Sequence, residues 1–407
     1  MSTAQLVGVA VYSTLGAVPA VFGLYNVMLT TAAFFHRPPR SRRTPTSRVA
    51  VLVPAHDEAA LIARCIASLD AQTYPSELYE VVVIADNCTD DTAAIAQAAD
   101  AQVLIRTDPS ARGKGHALRW ALDGILVQEP VPDAVAVVDA DSVAAADFLE
   151  ALVDPFERGA PAAQGESLLT DDGSPASALR AAAFLLVNRV RPAGRAVLGL
   201  PTRLAGNGML FGRELLRSNP WTAYSSAEDV EYSVRLQLAG TGPAFAGGAI
   251  LHSPTAPTVE AATQQQLRWE GGKVHVARTQ IPRLVAAAFR LRRPRLLEAA
   301  LELAAPPLGL LAAAALLGSI LGAALAAAHL VPLWSLVPWL VALASIPVYV
   351  LVGLRAARAP RSAYRALARA PQLVLQKVLG AHRLFTFRAD TWVRTERPRE
   401  NGGAGSE

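Results

Sequence analysis

Two aspartates spaced i and i+2, Asp139 and Asp141, close the apolar run Ala134 to Val138 in this chain of 407 residues. Extended backbone sends side chains at i and i+2 to one face, so both carboxylates can address one ligand. Hard cations such as Mg²⁺ or Mn²⁺ take oxygen ligands and leave room for substrate phosphates, and a metal with a diphosphate suits the pair. Asp also caps helices and turns, so the position after a core strand is what gives the two residues weight. Lys114, within Arg112-Gly113-Lys114-Gly115-His116, stands before a predicted helix, where free N–H groups and the helix dipole favour an anion. Its spacing is not that of a Walker A loop. In Ser226-Ala227-Glu228-Asp229-Val230-Glu231-Tyr232, Glu228 and Asp229 suit a helix start on dipole grounds alone. A carboxylate there can also take a proton from an acceptor hydroxyl, and Asp229 is the expected base. Gln265-Gln266-Leu267-Arg268-Trp269 joins a cation for a leaving diphosphate to an indole on which a sugar ring can stack.

Elements that could position these groups are legible as alternating periods. Residues 49–53, 80–85, 102–105 and 134–138 read as strands, and residues 57–70, 90–99 and 115–128 have helical length. Near-continuous apolar strands imply cover on both faces and an open, doubly wound, largely parallel sheet. In such sheets ligands bind at the carboxyl ends of the strands, where His56, Asp57 and Glu58, then Asp86 and Asn87, then Asp139 and Asp141 stand.

Composition adds a bilayer to this picture. Hydrophobic residues make up 52% and charged residues 18% of the chain, and mean hydropathy is +0.28, too apolar for a simple globular enzyme. Two cysteines, Cys65 and Cys88, support neither a disulfide framework nor a cysteine metal site. Residues 1–36 carry one predicted transmembrane helix, and a basic linker follows at 37–47. The basic run after the span opposes a cleaved signal peptide. A second apolar block, 304–354, has the length of two spans, broken near His329 to Trp334. Charge bias places the amino terminus outside and the domain at 48–275 in the cytosol, at a cell (inner) membrane. Residues 276–303 and 355–398 read as interfacial amphipathic helices broken by Pro294 and Pro371, and 399–407 as a disordered tail.

With the strand-end acids, the D-x-D, the E-D and the Q-Q-x-R-W in this order, the chain resembles family 2 glycosyltransferases of the membrane type, relatives of cellulose, chitin and hyaluronan synthases and ceramide glucosyltransferases. The resemblance covers residues 48 to 275 in detail. It implies a glycosyltransferase-A type, Rossmann-like sheet with transmembrane and interfacial helices. It further implies that Pro54, His56, Glu58, Asp86, Lys114 and Asp139 bind the donor nucleotide, that Asp139 and Asp141 handle a metal, Mg²⁺ or Mn²⁺, and that Asp229, with Glu228, is the base. Gly206 and Asn207 would back the donor and acceptor sugars, while Gln265, Arg268 and Trp269 would hold diphosphate and acceptor. His56 departs from the pattern, since many relatives carry Asn there, and three spans are few for a polymer channel.

The implied activity is inverting transfer of a sugar from a UDP-sugar to a lipid-linked or glycan acceptor, with membrane lipids as partners, no nucleic acid, and an oligomer compatible with the sequence. A processive exopolysaccharide synthase is the alternative. A nucleotidyltransferase and a non-catalytic membrane assembly or export partner are more remote readings.

Overall fold

The computed structural model describes residues 3–38, 44–256, 258–372, 374–375 and 378–379. Much of the predicted basic linker, the second half of the predicted segment 355–398 and all of 399–407 lie outside the described residues. The chain opens with α1 (Thr3–Ala33), then alternates β1 (Val49–Ala55), α2 (Ile62–Asp70), β2 (Tyr79–Asp86), α3 (Thr92–Ala98), β3 (Gln102–Arg106), α4 (Lys114–Ile125) and β4 (Ala134–Val137). There follow β5 (Val143–Ala144), α5 (Phe148–Glu157), β6 (Ala162–Leu169), α6 (Pro175–Leu185), α7 (Arg191–Val197), β7 (Met209–Gly212), α8 (Arg213–Ser218), α9 (Glu228–Ala239) and β8 (Ala244–Ser253). Five helices end the described chain: α10 (Val259–Arg290), α11 (Arg295–Ala304), α12 (Leu308–Ala327), α13 (Val337–Ala356) and α14 (Arg361–Ala366).

Two compact units emerge. One comprises the described parts of Arg37–Asp171 and Pro201–Ala300, the other those of Met1–His36, Asp172–Leu200 and Leu301–Thr386. The first unit is α/β. Its sheet runs β3-β2-β1-β4-β7-β6-β8-β5, with β3, β2, β1 and β4 mutually parallel and β7 antiparallel to both β4 and β6. The four predicted strands form the parallel half. Alternation along β1 builds two cores: Val49, Val51 and Val53 pack with Ile62, Ile66, Leu69, Phe148 and Leu152. Ala50 and Leu52 on the opposite face join Leu118, Leu122, Trp221, Tyr232 and Leu236. Such two-sided burial is what the unbroken apolar runs demand.

The second unit is helical, and α1, α12 and the segment containing α13 are each long and apolar enough to cross a membrane. Small residues bring these helices together. A side chain at Gly318 would run into Trp339, one at Gly322 into Tyr12, and one at Gly194 into the carbonyl of Leu29. Tyr12 Oη donates to the carbonyl of Gly318 at 2.8 Å, and Trp339 Nε1 to that of Tyr12 at 3.2 Å. Deeper in, Arg195 Nη1 donates to Tyr25 Oη at 2.6 Å, which donates to Glu302 at 3.0 Å.

Two expectations change. Residues 276–303 are not a set of short interfacial helices: α10 runs unbroken through the expected boundary at 275 and through Pro282, and only Leu291–Pro294 separates it from α11. A proline costs one backbone bond, which a helix of 32 residues tolerates. In addition, Asp172–Leu200, expected within the catalytic domain, groups with the apolar helices. There α6 and α7 are joined by a π turn, Leu186–Val190.

Candidate active site

Strand ends carry the site. Beyond β4, Asp139 and Asp141 are half-buried while Ala140 and Ser142 between and after them are buried; the Ser142 N–H closes a turn on the Asp139 carbonyl at 3.0 Å, so a turn rather than the expected extended backbone carries the two carboxylates. Gly113, with φ of 113°, turns the chain into α4, and Lys114 is that helix's first residue. Its ammonium bonds the Asp139 carboxylate and the Gly206 carbonyl. Gly115 allows the close approach of α4 to the Ala223 carbonyl.

The Gly206-Asn207-Gly208 turn links this group to the E-D motif. Gly206 and Gly208 have φ of 76° and 69°, a left-handed backbone that glycine adopts without strain. A Cβ at Gly206 would lie 3.4 Å from Asp229 Oδ2. Asn207 is buried; its Oδ1 accepts from the Asp139 N–H at 3.0 Å, and its Nδ2 donates to Ser142 Oγ at 2.8 Å.

Glu228 and Asp229 open α9, as the helix-start reading requires. Burial raises the Asp229 carboxyl above the usual aspartate range, against the opposing pull of Arg203 and Lys114. Burial and the neighbouring Asp229 push Glu228 up to about 7. Burial disfavours the Lys114 charge, yet Asp139, Glu228 and Asp229 outweigh it and hold that ammonium above the ordinary lysine value. Three carboxylates and one cation thus share one cluster, so a proton there belongs to the group rather than to a single residue.

Gln265, Arg268 and Trp269 lie in the early turns of α10. Gly272, one turn after Arg268 and so on its face, packs against Ser226 and Ala227, which directly precede Glu228. Trp269 is 40% exposed. Beside this contact Tyr224, Ser225, Glu231, His275, Thr279 and Arg283 line a cleft of about 350 Å³.

The nucleotide-binding candidates sit at the ends of β1 and β2. Pro54 is on β1, and His56 Nδ1 lies 2.7 Å from the Asp86 carbonyl. Glu58 presents its backbone N–H to Thr92 Oγ1 at 2.8 Å. Asp86 is buried, and its Oδ1 accepts from Arg106 at 2.6 Å and Asn87 at 3.0 Å. Arg106 was not foreseen; its signal was a charged residue at the last position of a short strand. Arg203 and Gln164 were missed too, the first because it lies in a loop without pattern, the second because it is a lone polar residue in a strand.

The carboxylate oxygens of Asp139 and Asp141, two residues apart in the turn after β4, are donors of the kind a hard divalent cation takes. A second grouping, Asp57, Cys88 and Asp90, reads as a loop clasp, since Asp57 accepts from the N–H groups of Thr89 at 2.6 Å and Asp90 at 3.3 Å.

Comparison with known proteins bears on all of this. Residues 45–272, more than half of the chain, match the family described as glycosyltransferase like family 2. The beta-monoglucosyldiacylglycerol synthase of Nostoc sp. is 32% identical over 197 residues, covering 47% of this chain and 41% of the relative. That of Synechocystis sp. is 27% identical over 240 residues, 56% and 48% of the two chains. The chain therefore spans about half the length of these curated relatives. A probable glycosyltransferase of Bacillus subtilis, YdaM, is 24% identical over 302 residues and 67% of each chain. Among solved structures, the mannosyltransferase PcManGT from Pyrobaculum calidifontis, in complex with GDP-Man and Mn2+, aligns over 92% of this chain and 96% of its own with a TM-score of 0.54 at 19% identity. That likeness concerns the fold, which is of the glycosyltransferase-A type. The family match, over more than half of the chain, decides the class: the chain belongs to the family 2 glycosyltransferases as a glycosyltransferase enzyme.

Proposed function

We propose that this enzyme is a membrane-embedded, inverting, metal-dependent transferase that moves a sugar from a UDP-sugar to a lipid-linked or glycan acceptor, a glycolipid headgroup hydroxyl above all. One observation carries the reading: the Gly206 turn bonds Lys114, itself bound to Asp139, through its carbonyl and faces Asp229 across its missing Cβ. In this reading phosphate-binding and proton-accepting groups meet at that turn.

Pro54, His56, Glu58 and Asp86 would receive the nucleotide at the ends of β1 and β2. Asp139 and Asp141 would hold Mg²⁺ or Mn²⁺, which supplies Lewis-acid neutralisation of the diphosphate. Lys114 and Arg268 add fixed positive charge where the leaving group gains negative charge. Asp229 takes the acceptor hydroxyl's proton as its oxygen bonds to the anomeric carbon and the bond to diphosphate breaks on the opposite face. An α-linked donor then gives a β-linked product. Gln265 and Trp269 shape the acceptor side, with the indole as a stacking surface. The relatives of Nostoc sp. and Synechocystis sp., both named beta-monoglucosyldiacylglycerol synthase, support a lipid acceptor. The apolar helices support a multi-pass membrane location, and the positive-inside rule supports a cytosolic site with an external amino terminus.

The test is nucleoside-diphosphate release by the detergent-solubilised protein with Mn²⁺ or Mg²⁺, across UDP- and GDP-sugars, with and without diacylglycerol and other membrane lipids. Lipid-stimulated release from one UDP-sugar, giving a β-linked glycolipid, is expected. An α-linked product would overturn inversion, and a growing polymer made without lipid would favour the processive alternative.

A further inference from the structure

The geometry assigns Gln164, on β6, a positioning role: it fixes the 205–208 turn, against which Lys114, Asp139 and Asp229 are all set. This rests on the reading of Asp229 as the base.

Gln164 is 2% exposed in the middle of the sheet, where a polar side chain is costly unless every polar atom is satisfied. It is satisfied entirely by the turn and its own strand. Nε2 donates to the carbonyl of Asn207 at 2.7 Å, with the carbonyls of Gly165 and Gly208 at 3.0 and 3.3 Å. Oε1 accepts from the N–H of Ala205 at 2.8 Å. One amide therefore grips the turn at its first residue and again past its apex. The strand is adapted to this: the β6–β8 register shifts between Gln164 and Glu166, a device that re-aims a side chain next to an active site. Gly165 at the shift has no room for a side chain against the Ala249 carbonyl, 2.7 Å from where its Cβ would stand.

The gripped turn touches each reacting group. The Gly206 carbonyl accepts from Lys114, Asn207 Oδ1 holds the backbone of Asp139, and Gly206 faces Asp229. Ser142 and Ser253, 2.9 Å apart, receive Asn207 from behind. Loosening the amide would let the turn shift and water reach Asp229. A misplacement of about 1 Å can cost on the order of 100-fold in rate.

The experiment compares Gln164→Met, which keeps size but loses both bonding ends, with Gln164→Glu, which keeps the acceptor for Ala205, in the full-length detergent-solubilised enzyme. The readouts are Tm, UDP affinity, kcat and its pH profile, with Asp229→Asn alongside. We expect Gln164→Met to lose at least about tenfold in kcat with UDP affinity within about threefold, and the acidic limb of the kcat profile to move to lower pH as Asp229 becomes hydrated. Gln164→Glu should recover part of the rate. Parallel loss of Tm, UDP affinity and kcat with an unmoved pH limb would reduce Gln164 to a structural residue and overturn the assignment, as would a normal kcat in Gln164→Met. If Asp229→Asn keeps its turnover, the reading of the base fails instead, whatever the Gln164 variants do.

Discussion

The sheet and the apolar helices use the same aliphatic residues in opposite ways. In the α/β unit the large ones face inward: Val49 to Val53 are each 2% exposed or less. In the helical unit they face outward, with Leu15, Leu317 and Ile320 near 60% exposed, while the inner surface of α12 and α13 is built from residues such as Ala315, Gly318, Gly322, Ala342 and Gly353. Water drives apolar side chains together in the first unit. An apolar solvent removes that drive, and close packing of small residues takes over. Composition alone cannot report this inversion, because both arrangements draw on Val, Leu, Ala and Gly.

The sharpest separation concerns chemistry. Asp229→Asn should lower turnover on the order of 1000-fold and leave both Tm and UDP affinity near normal, since every reacting group lies in the α/β unit. Its pH counterpart follows from the raised carboxyl of the base: a base acts only when deprotonated, so wild-type kcat should fall with pH through a limb above the ordinary aspartate range. A profile flat down to the ordinary aspartate range would remove that carboxyl from the rate-limiting proton transfer. Next comes packing: Leu52→Ala, at a site with no exposure, should cost about 2 to 5 kcal/mol of stability, read by denaturant unfolding of the detergent-solubilised protein. Smallest is Ile320→Ala on α12, 58% exposed. In lipid nanodiscs it should change stability by no more than about 0.5 kcal/mol. A loss equal to that of Leu52→Ala would mean that this face is a protein interface and would break the comparison.

What the sequence made legible tracks how local the signal is. β1 to β4 were readable because burial on both faces leaves uninterrupted Val and Ala runs, and the E-D motif fell at a helix start because its acids suit a first turn, whereas the Q-Q-x-R-W, expected ahead of the amphipathic helices, lies inside α10. The mixed half of the sheet was opaque. β6 reads Ala-Ala-Gln-Gly-Glu-Ser-Leu-Leu, with polar residues buried through long-range hydrogen bonds that no periodicity announces. The segment Asp172–Leu200 is broken up by Arg180, Arg189, Arg191 and Arg195 and so does not read as a span; its place among the apolar helices depends on the Gly194 approach to Leu29 and on the Tyr25, Arg195 and Glu302 contacts. The role of Gly206 was legible only through family resemblance, because what matters is its distance to Asp229, set by residues 23 positions apart.

The unbroken course of α10 also makes it a lever. At 1.5 Å per residue a straight helix carries Arg268 and Arg290 about 33 Å apart. While the rod stays straight, a tilt of its later turns displaces the Arg268 guanidinium and the Trp269 indole, the groups proposed to hold diphosphate and acceptor. The reach of those two groups toward substrate is then a mechanical quantity, set by the angle at which a rod is held far from where the sugar moves.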